Sequence, residues 1–337
     1  MFASRTRTWG PERPAAQPRA HSSAAAALLT VLAAACARSP GTPADVPPTL
    51  PALARADHQT AQRTWNQQRA ASLVQPGQPL SYTGLTWLHP GENVVGADSA
   101  SAVRLTGRGV PARVGTLVRE GTRVRFVPAV AVAVRVDSQP LASGGPLRTD
   151  ADSGGATRVE IGSAGFRIVR RLDSLGVRSW DAERESVRRF DGLTLFPLDS
   201  AWRVAGRLAP LAAPRHDKVM TEAGVLEEQV VVGTVRATIA GAPYALTAYE
   251  GGRPNELFLV FTDATSGDET YGFRFLRAAR DTATNAVTLD FNFAYNPDCA
   301  FTPYATCPLP PPENRIRTAI RAGERRYGHD ATVADAR

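Results

Sequence analysis

The residues best suited to chemistry lie between positions 289 and 315, in the run LDFNFAYNPDCAFTPYATCPLPPPENR. This run carries Asn292, Tyr295, Asn296, Tyr304, Asn314 and Arg315 beside the pair Cys299 and Cys307. Asparagine offers donor and acceptor together, tyrosine a flat face with a polar tip, and arginine a fork that fits carboxylate or phosphate. That mix suits a pocket mouth for a small polar or anionic ligand. A plainer reading stands beside it: the same side chains pair the backbone groups that a proline-rich loop leaves without partners. Pro297, Pro303, Pro308, Pro310, Pro311 and Pro312 fix φ and remove donors, so the run is a rigid loop, not a helix or central strand.

A second polar group, Asp263, Thr265, Asp268, Glu269 and Tyr271, sits in a short loop between two strand-like runs. Its hard oxygens could hold a divalent cation, but the spacing is not that of a helix–loop–helix calcium site. A polar hairpin turn with Gly267 at positive φ is the preferred reading. Seven residues separate Cys299 from Cys307. In an exported chain that spacing reads as a disulfide. Zinc would need four ligands, and the segment has no further Cys and no His. A nucleophilic thiol would need a base, which is missing locally. The histidines are His21, His58, His89, His216 and His329, and neither a Gly-x-Ser-x-Gly nor a His-Glu-x-x-His motif occurs. Gly107, Gly109 and Ala112 mimic a dinucleotide fingerprint, but Pro111 and the β-rich surroundings exclude the helix that motif needs. No metal site and no cofactor is indicated.

The elements that position these residues follow an export leader. Arg5, Arg7, Arg13 and Arg19 precede an apolar run over residues 24–35, too short to span a bilayer as a helix. Cys36 follows Ala35 directly, and residues 32–36 resemble the lipobox of bacterial lipoproteins, with Ala33 where leucine is usual. The resemblance implies lipidation at Cys36 and a membrane-anchored lipoprotein of the cell envelope; cleavage after Ala35 to a soluble exported protein is the alternative. Residues 37–55 hold Pro40, Pro43, Pro47, Pro48 and Pro51, the composition of an extended spacer. The formal charge is +7, and removing the leader's four arginines and Glu12 leaves +4. No basic run interleaved with aromatics appears, which argues against nucleic-acid binding.

The expected organisation is a signal peptide over 1–35, a lipid-anchor linker over 36–54, a helix over 55–76 and two β-domains over 77–184 and 185–326, with a tail over 327–337. The helix should bury Ala61, Trp65 and Leu73, and Pro76-Gly77 ends it. Strands are expected at 82–88, 93–96, 102–105, 113–118, 123–127, 131–136, 158–161 and 166–172, spaced as in a sandwich. A second, small antiparallel barrel or sandwich draws on 234–240, 244–250, 257–261, 271–276 and 287–293, and residues 316–324 suit a short closing helix. The fold class is therefore all-β with an N-terminal helix.

Two resemblances add to this. Residues 90–96, PGENVVG, resemble the opening hairpin of a forkhead-associated domain, a β-sandwich that reads phosphothreonine. Its ligand residues are missing: Ala97 stands where arginine is expected, and residues 110–113 supply neither Ser nor His, so phosphothreonine binding is not implied. Gly84 to Leu88, Asp191 to Pro197, Asp263 to Gly272 and Asn292 to Arg315 together resemble a prokaryotic domain-of-unknown-function family, number 1684 in that series. That family usually has a second proline at Asp298. Membership implies a common fold and no reaction. The functional expectation is a cell-envelope ligand-binding or interaction module. The alternative is an enzyme whose site joins residues 290–315 to residues 263–271.

Overall fold

Among the described residues, seventeen short and long strands, punctuated by glycine turns, form two sheets and a closed barrel. The computed structural model describes residues 48–328, apart from residue 142. The leader, Cys36 and most of the spacer lie outside the described residues.

The chain enters through α1 (Arg55–Leu73). Its inward face keeps Trp65 and Leu73, as expected, but not Ala61. Ala61 is exposed, and the stripe turned inward is His58, Gln62, Trp65, Arg69 and Leu73, at steps of three and four residues. Most of that stripe is polar because the surface beneath it is polar.

The N-terminal unit is a sandwich of two sheets. One has the order β1 (Tyr82–Trp87), β11 (Ser174–Asp181), β10 (Ala164–Arg171), β9 (Val159–Ile161), β6 (Arg135–Val136), β7 (Gln139–Pro140). The other has the order β3 (Val103–Arg104), β2 (Gly91–Gly96), β4 (Gly115–Glu120), β5 (Arg123–Pro128), β8 (Gly145–Leu147). In β5 the side chains alternate: Val124 and Phe126 point into the core and Arg123 and Arg125 to solvent. Phe126 meets Phe166 edge-on between the sheets, with centroids 5.8 Å apart. β11 is buried on both faces. Leu175 and Val177 face the core, while Arg178 and Trp180 lie on the opposite face, opposite Arg167 and Gly165 of β10.

After α2 (Glu185–Arg188) the second unit closes into a six-stranded antiparallel barrel: β12 (Arg203–Met220), β13 (Leu226–Ile239), β14 (Ala242–Glu250), β15 (Glu256–Phe261), β16 (Arg274–Arg280), β17 (Ala286–Asp290). Closure leaves no free edge. β12 pairs with both β17 and β13, and its register slips between Pro210 and Arg215, where prolines cannot feed the ladder. Ala240 and Gly241, both at positive φ, make the two-residue turn between β13 and β14.

Residues 316–324 are not a helix. They run extended across the barrel end, where Ile316, Ile320 and Ala322 join the core of β12 to β17. Their backbone groups are engaged elsewhere: Ile316 N–H donates to Thr262 O at 2.8 Å and Glu324 N–H to Ala294 O at 2.8 Å. Gly323 adopts φ +78, and a Cβ there would lie 2.3 Å from Ala294 O, so the strap needs glycine at this turn. Likewise, residues 291–293 leave the last strand as a 3-10 turn instead of extending it.

Candidate functional site

The 289–315 segment follows β17 and lies between α1, the barrel end and the sandwich. α1 follows it residue by residue. His58 Nε2 sits 2.8 Å from Asp290 Oδ2, and Gln62 donates to Asn292 O at 3.2 Å. Trp65 meets Phe293 edge-on at 5.4 Å. Arg69 donates through Nη2 to Asn296 O at 2.7 Å and pairs through Nε with Glu324 Oε1.

The asparagines are staples, the plainer of the two sequence readings. Asn292 Nδ2 donates to Asp199 O at 2.9 Å and its Oδ1 accepts from Asp199 N–H at 3.0 Å. Asn296 N–H donates to Glu324 Oε2 at 2.8 Å, and its Nδ2 donates to Arg325 O at 2.7 Å. Asn314 is fully buried between β14 and β15: Oδ1 accepts from Thr247 N–H at 2.7 Å, and Nδ2 donates to Thr247 O and Val260 O, each at 2.9 Å. Arg315 is exposed, and its backbone bridges to Thr262.

The acidic loop is equally committed. Asp263 accepts from Thr265 N–H and Oγ1–H at 2.7 and 2.6 Å, and its other oxygen takes Arg274 Nη2 at 2.6 Å, with both side chains sealed from solvent. Arg274 reaches on to Ile320 O at 2.8 Å and Ala322 O at 2.5 Å, tying the strap across the barrel end. Glu269 holds Arg321 at the surface, with both carboxylate oxygens 2.9 Å from Nε, and that pair lowers its pKa. Asp263 and Glu269 therefore take their cations from β16 and the strap, whereas Asn292, Asn296 and Asn314 bond backbone.

Between sandwich and loop runs a seam lined by arginines. Arg167 and Arg178 are directly paired across β10 and β11 and face the loop. Tyr82 lies against both, its ring centroid 5.6 Å from the Arg167 guanidinium carbon and 5.2 Å from that of Arg178. Arg178 donates to Tyr304 O and Thr306 Oγ1, each at 3.1 Å, and Arg167 to Tyr82 Oη at 2.5 Å. Arg184 donates to Tyr82 O and lies over the Tyr304 ring. Arg171 bolts the seam shut at one end, reaching Asp150 at 2.8 Å, Glu227 at 3.0 Å and Thr306 Oγ1 at 2.8 Å. Into this seam the loop sends Asp298. Burial pushes its carboxyl pKa up, against the pull of Arg69, Arg178 and Arg167.

On the other side of the loop is a cleft of about 550 Å³ lined by Glu222, Tyr271, Cys299, Phe301 and Thr302. Cys299 and Cys307 are both free thiols here, in contact: Cys299 N–H donates to Cys307 Sγ at 3.1 Å, and the neighbouring Cys299 thiol, then burial, raise the Cys307 thiol pKa against the pull of that N–H. Burial and Cys299 likewise push the Tyr271 hydroxyl up.

Of the residues proposed from sequence, Tyr304 belongs to the seam and Tyr295 borders it, its ring 4.6 Å from the Arg69 guanidinium carbon. Arg69, Arg167, Arg178 and Asp298 were not foreseen as site residues. The only trace of the strand arginines is their place in the runs FRIVRR and LGVRSW, charges among residues that must be buried.

Two outcomes follow from this geometry. Asn314→Ala strips partners from three buried backbone groups and should lower stability in urea by about 2 kcal/mol or more. Asp298 has a folded pKa above its ordinary 3.8, so its contribution to stability is full below that pH and is lost as pH rises through the folded value. Asp298→Asn should therefore be more stable than the parent at pH 7, with the gap shrinking toward zero below pH 3.8, as read by denaturant unfolding at each pH.

Comparison with known proteins completes the description. None of the curated proteins matches the chain. A solution NMR structure of the uncharacterized protein from gene locus rrnAC0354 of Haloarcula marismortui is 32% identical, covering 42% of this chain and 80% of that one, with a TM-score of 0.36. The FHA domain of FhaA, solved in complex with the intracellular domain of Rv3910, is 16% identical over 28% of this chain and 96% of that one, with a TM-score of 0.20. Residues 188–325, the barrel with its loop and strap, match the family described as "Protein of unknown function (DUF1684)", and the chain belongs to that family.

Proposed function

We propose that this protein is an exported, lipid-anchored module of the cell envelope that binds a small anionic ligand at the seam between its sandwich and the 289–315 loop. One observation carries the ligand reading: Arg178, buried and bonded to the loop at Tyr304 O and Thr306, is directly paired on the adjacent strand with the half-buried Arg167. Two adjacent guanidinium groups repel each other and lose hydration there, an arrangement an anion relieves. Burial already pulls the Arg178 pKa down, with Arg167 adding to the effect.

Export and anchoring rest on the basic, then apolar, then Ala-Cys order of residues 1–36 and the proline spacer behind it. In an oxidising compartment the contacting thiols of Cys299 and Cys307 would pass two electrons and two protons to a disulfide-exchange oxidant and close a bridge. The alternative of an enzyme uniting residues 263–271 with residues 290–315 has little support, because Asp263 and Glu269 already hold Arg274 and Arg321.

Binding is tested by titrating the full chain with small carboxylates and inorganic phosphate. Arg167→Met should weaken anion binding at least tenfold, while unchanged affinity would place the ligand elsewhere. For the anchor, bacteria expressing the protein are fed labelled fatty acid. Cys36→Ala should abolish labelling and release the protein from the membrane fraction, and the exported protein should show no free thiol until reduced.

A further inference from the structure

Cys299 and Cys307 touch, yet they meet solvent differently. Cys299 is half-buried and lines the cleft of about 550 Å³. Cys307 is only 4% exposed and lies behind that lining. One wall of the cleft is the tip of the β12–β13 hairpin at Glu222 and Ala223, the other is the loop at Phe301 and Thr302, and Tyr271 completes it. The buried cysteine is pinned to the hairpin. Its sulfur accepts the Cys299 N–H at 3.1 Å, its carbonyl accepts Glu222 N–H at 2.9 Å, and the next residue, Pro308, bridges Thr221. The cleft's volume falls in the range that admits a small molecule, about 300–1,000 Å³. Of its lining residues only Glu222 is charged, with Oε1 3.5 Å from Tyr271 Oη. A lining without a cation does little to stabilise a thiolate, which suits unhurried exchange with a disulfide more than rapid attack on a peroxide.

We infer that the cleft admits a small-molecule disulfide to Cys299, the sulfur that reacts first, and that Cys307 is the resolving sulfur that closes the bridge. The inference rests on the reading above that this pair is oxidised after export, and deepens it by naming the oxidant's class and fixing the order of the two sulfurs. In the first step Cys299 gives its proton to solvent and its thiolate attacks one sulfur of the disulfide. A bond forms from Cys299 to that sulfur, the old sulfur–sulfur bond breaks, and the departing thiolate takes up a proton. In the second step Cys307 loses its proton and attacks the Cys299 sulfur. The Cys299–Cys307 bond forms and the second small thiol leaves. Two protein thiols thus give up two electrons and two protons, and one disulfide becomes two thiols. The Cys299 contact and then burial push the Cys307 thiol up, so the buried sulfur keeps its proton while Cys299 reacts. Burial persists once Cys299 is capped, which makes the second step the slower one and lets the mixed disulfide accumulate at Cys299.

The test uses the full chain carrying Cys36→Ala, which leaves Cys299 and Cys307 as its only thiols. The reduced protein is mixed with oxidised glutathione without air, quenched with acid at successive times, and the adducts are located by fragmentation mass spectrometry. Glutathione should appear first on Cys299, at least tenfold over Cys307, and then give way to the internal bridge. Cys307→Ser should stop at a stable adduct on Cys299. Cys299→Ser should react at least tenfold more slowly than Cys307→Ser, and the two variants should react at equal rates in concentrated urea, where no fold gates access. The early labelling is read on the parent pair itself, so it stands even where a serine variant fails to fold. Equal or earlier labelling of Cys307, with a bridge still formed, would overturn the order of the sulfurs and leave the disulfide reading standing. A folded Cys307→Ser that takes no adduct would also overturn it. A reduced protein that forms neither adduct nor bridge would overturn both readings.

Discussion

A loop built on prolines joins the sheets only through isolated bridges, Tyr295 to Phe275, Pro308 to Thr221 and Arg315 to Thr262, yet it is packed between a barrel, a sandwich and a helix. Its buried carbonyls must still be met, partly by isolated backbone contacts, such as Phe275 N–H to Tyr295 O and Glu324 N–H to Ala294 O, and partly by side chains from elsewhere, such as Gln62 and Arg69. That requirement organises the C-terminal half of the molecule. It explains why α1 carries a polar inner stripe of His58, Gln62 and Arg69, because what it covers is loop backbone and not a greasy sheet. It explains the buried asparagines, whose side-chain amides imitate the missing peptide groups of a neighbouring strand. It also accounts for the two deep ion pairs, Arg274 with Asp263 and Arg69 with Glu324. Through them the strap of residues 316–324 is tied to the barrel and the loop to α1. Such pairs add little net stability but are very costly to break, so they define one arrangement of loop and strap more than they strengthen it.

The sandwich strands were legible where one face is wet and the other dry. Residues 123–127 alternate cleanly and appear in the structure as β5. β11 was invisible because it is buried on both faces and carries Gly176, Arg178 and Ser179 amid its apolar residues, so neither alternation nor a continuous apolar run marks it. β12 was hidden by Pro210 and Pro214, which in fact sit where its register slips. The strap misled in the opposite direction. Ile316 and Ile320 have helical spacing, but the barrel end takes the segment extended, and tertiary packing outweighs a weak local preference.

The site was legible in part, and the reason is physical. The loop announced itself through composition, since Tyr, Asn, Cys and Pro in that density serve no ordinary turn. Which of its side chains are free could not be read, because a staple and a ligand contact call for the same residue type. Only partner geometry separates them, and it assigns the asparagines to structure. The arginines of the seam come from α1, β10, β11 and the segment after β11, far from the loop in sequence. A charge in a buried strand signals that something polar lies opposite, but not what.

Asp298 is the point at which the economy of this half breaks down. Asp263 has Arg274, and Glu324 has Arg69, at contact distance. Asp298 stands among guanidinium groups that are already held by other acceptors, and burial makes its charged form unfavourable. A chain shaped for stability alone would lose this carboxylate or let an arginine reach it. What sets Asp298 apart is its electrostatics: Asp263 and Glu324 are balanced at contact distance, while burial pushes the Asp298 carboxyl up against the pull of the arginines.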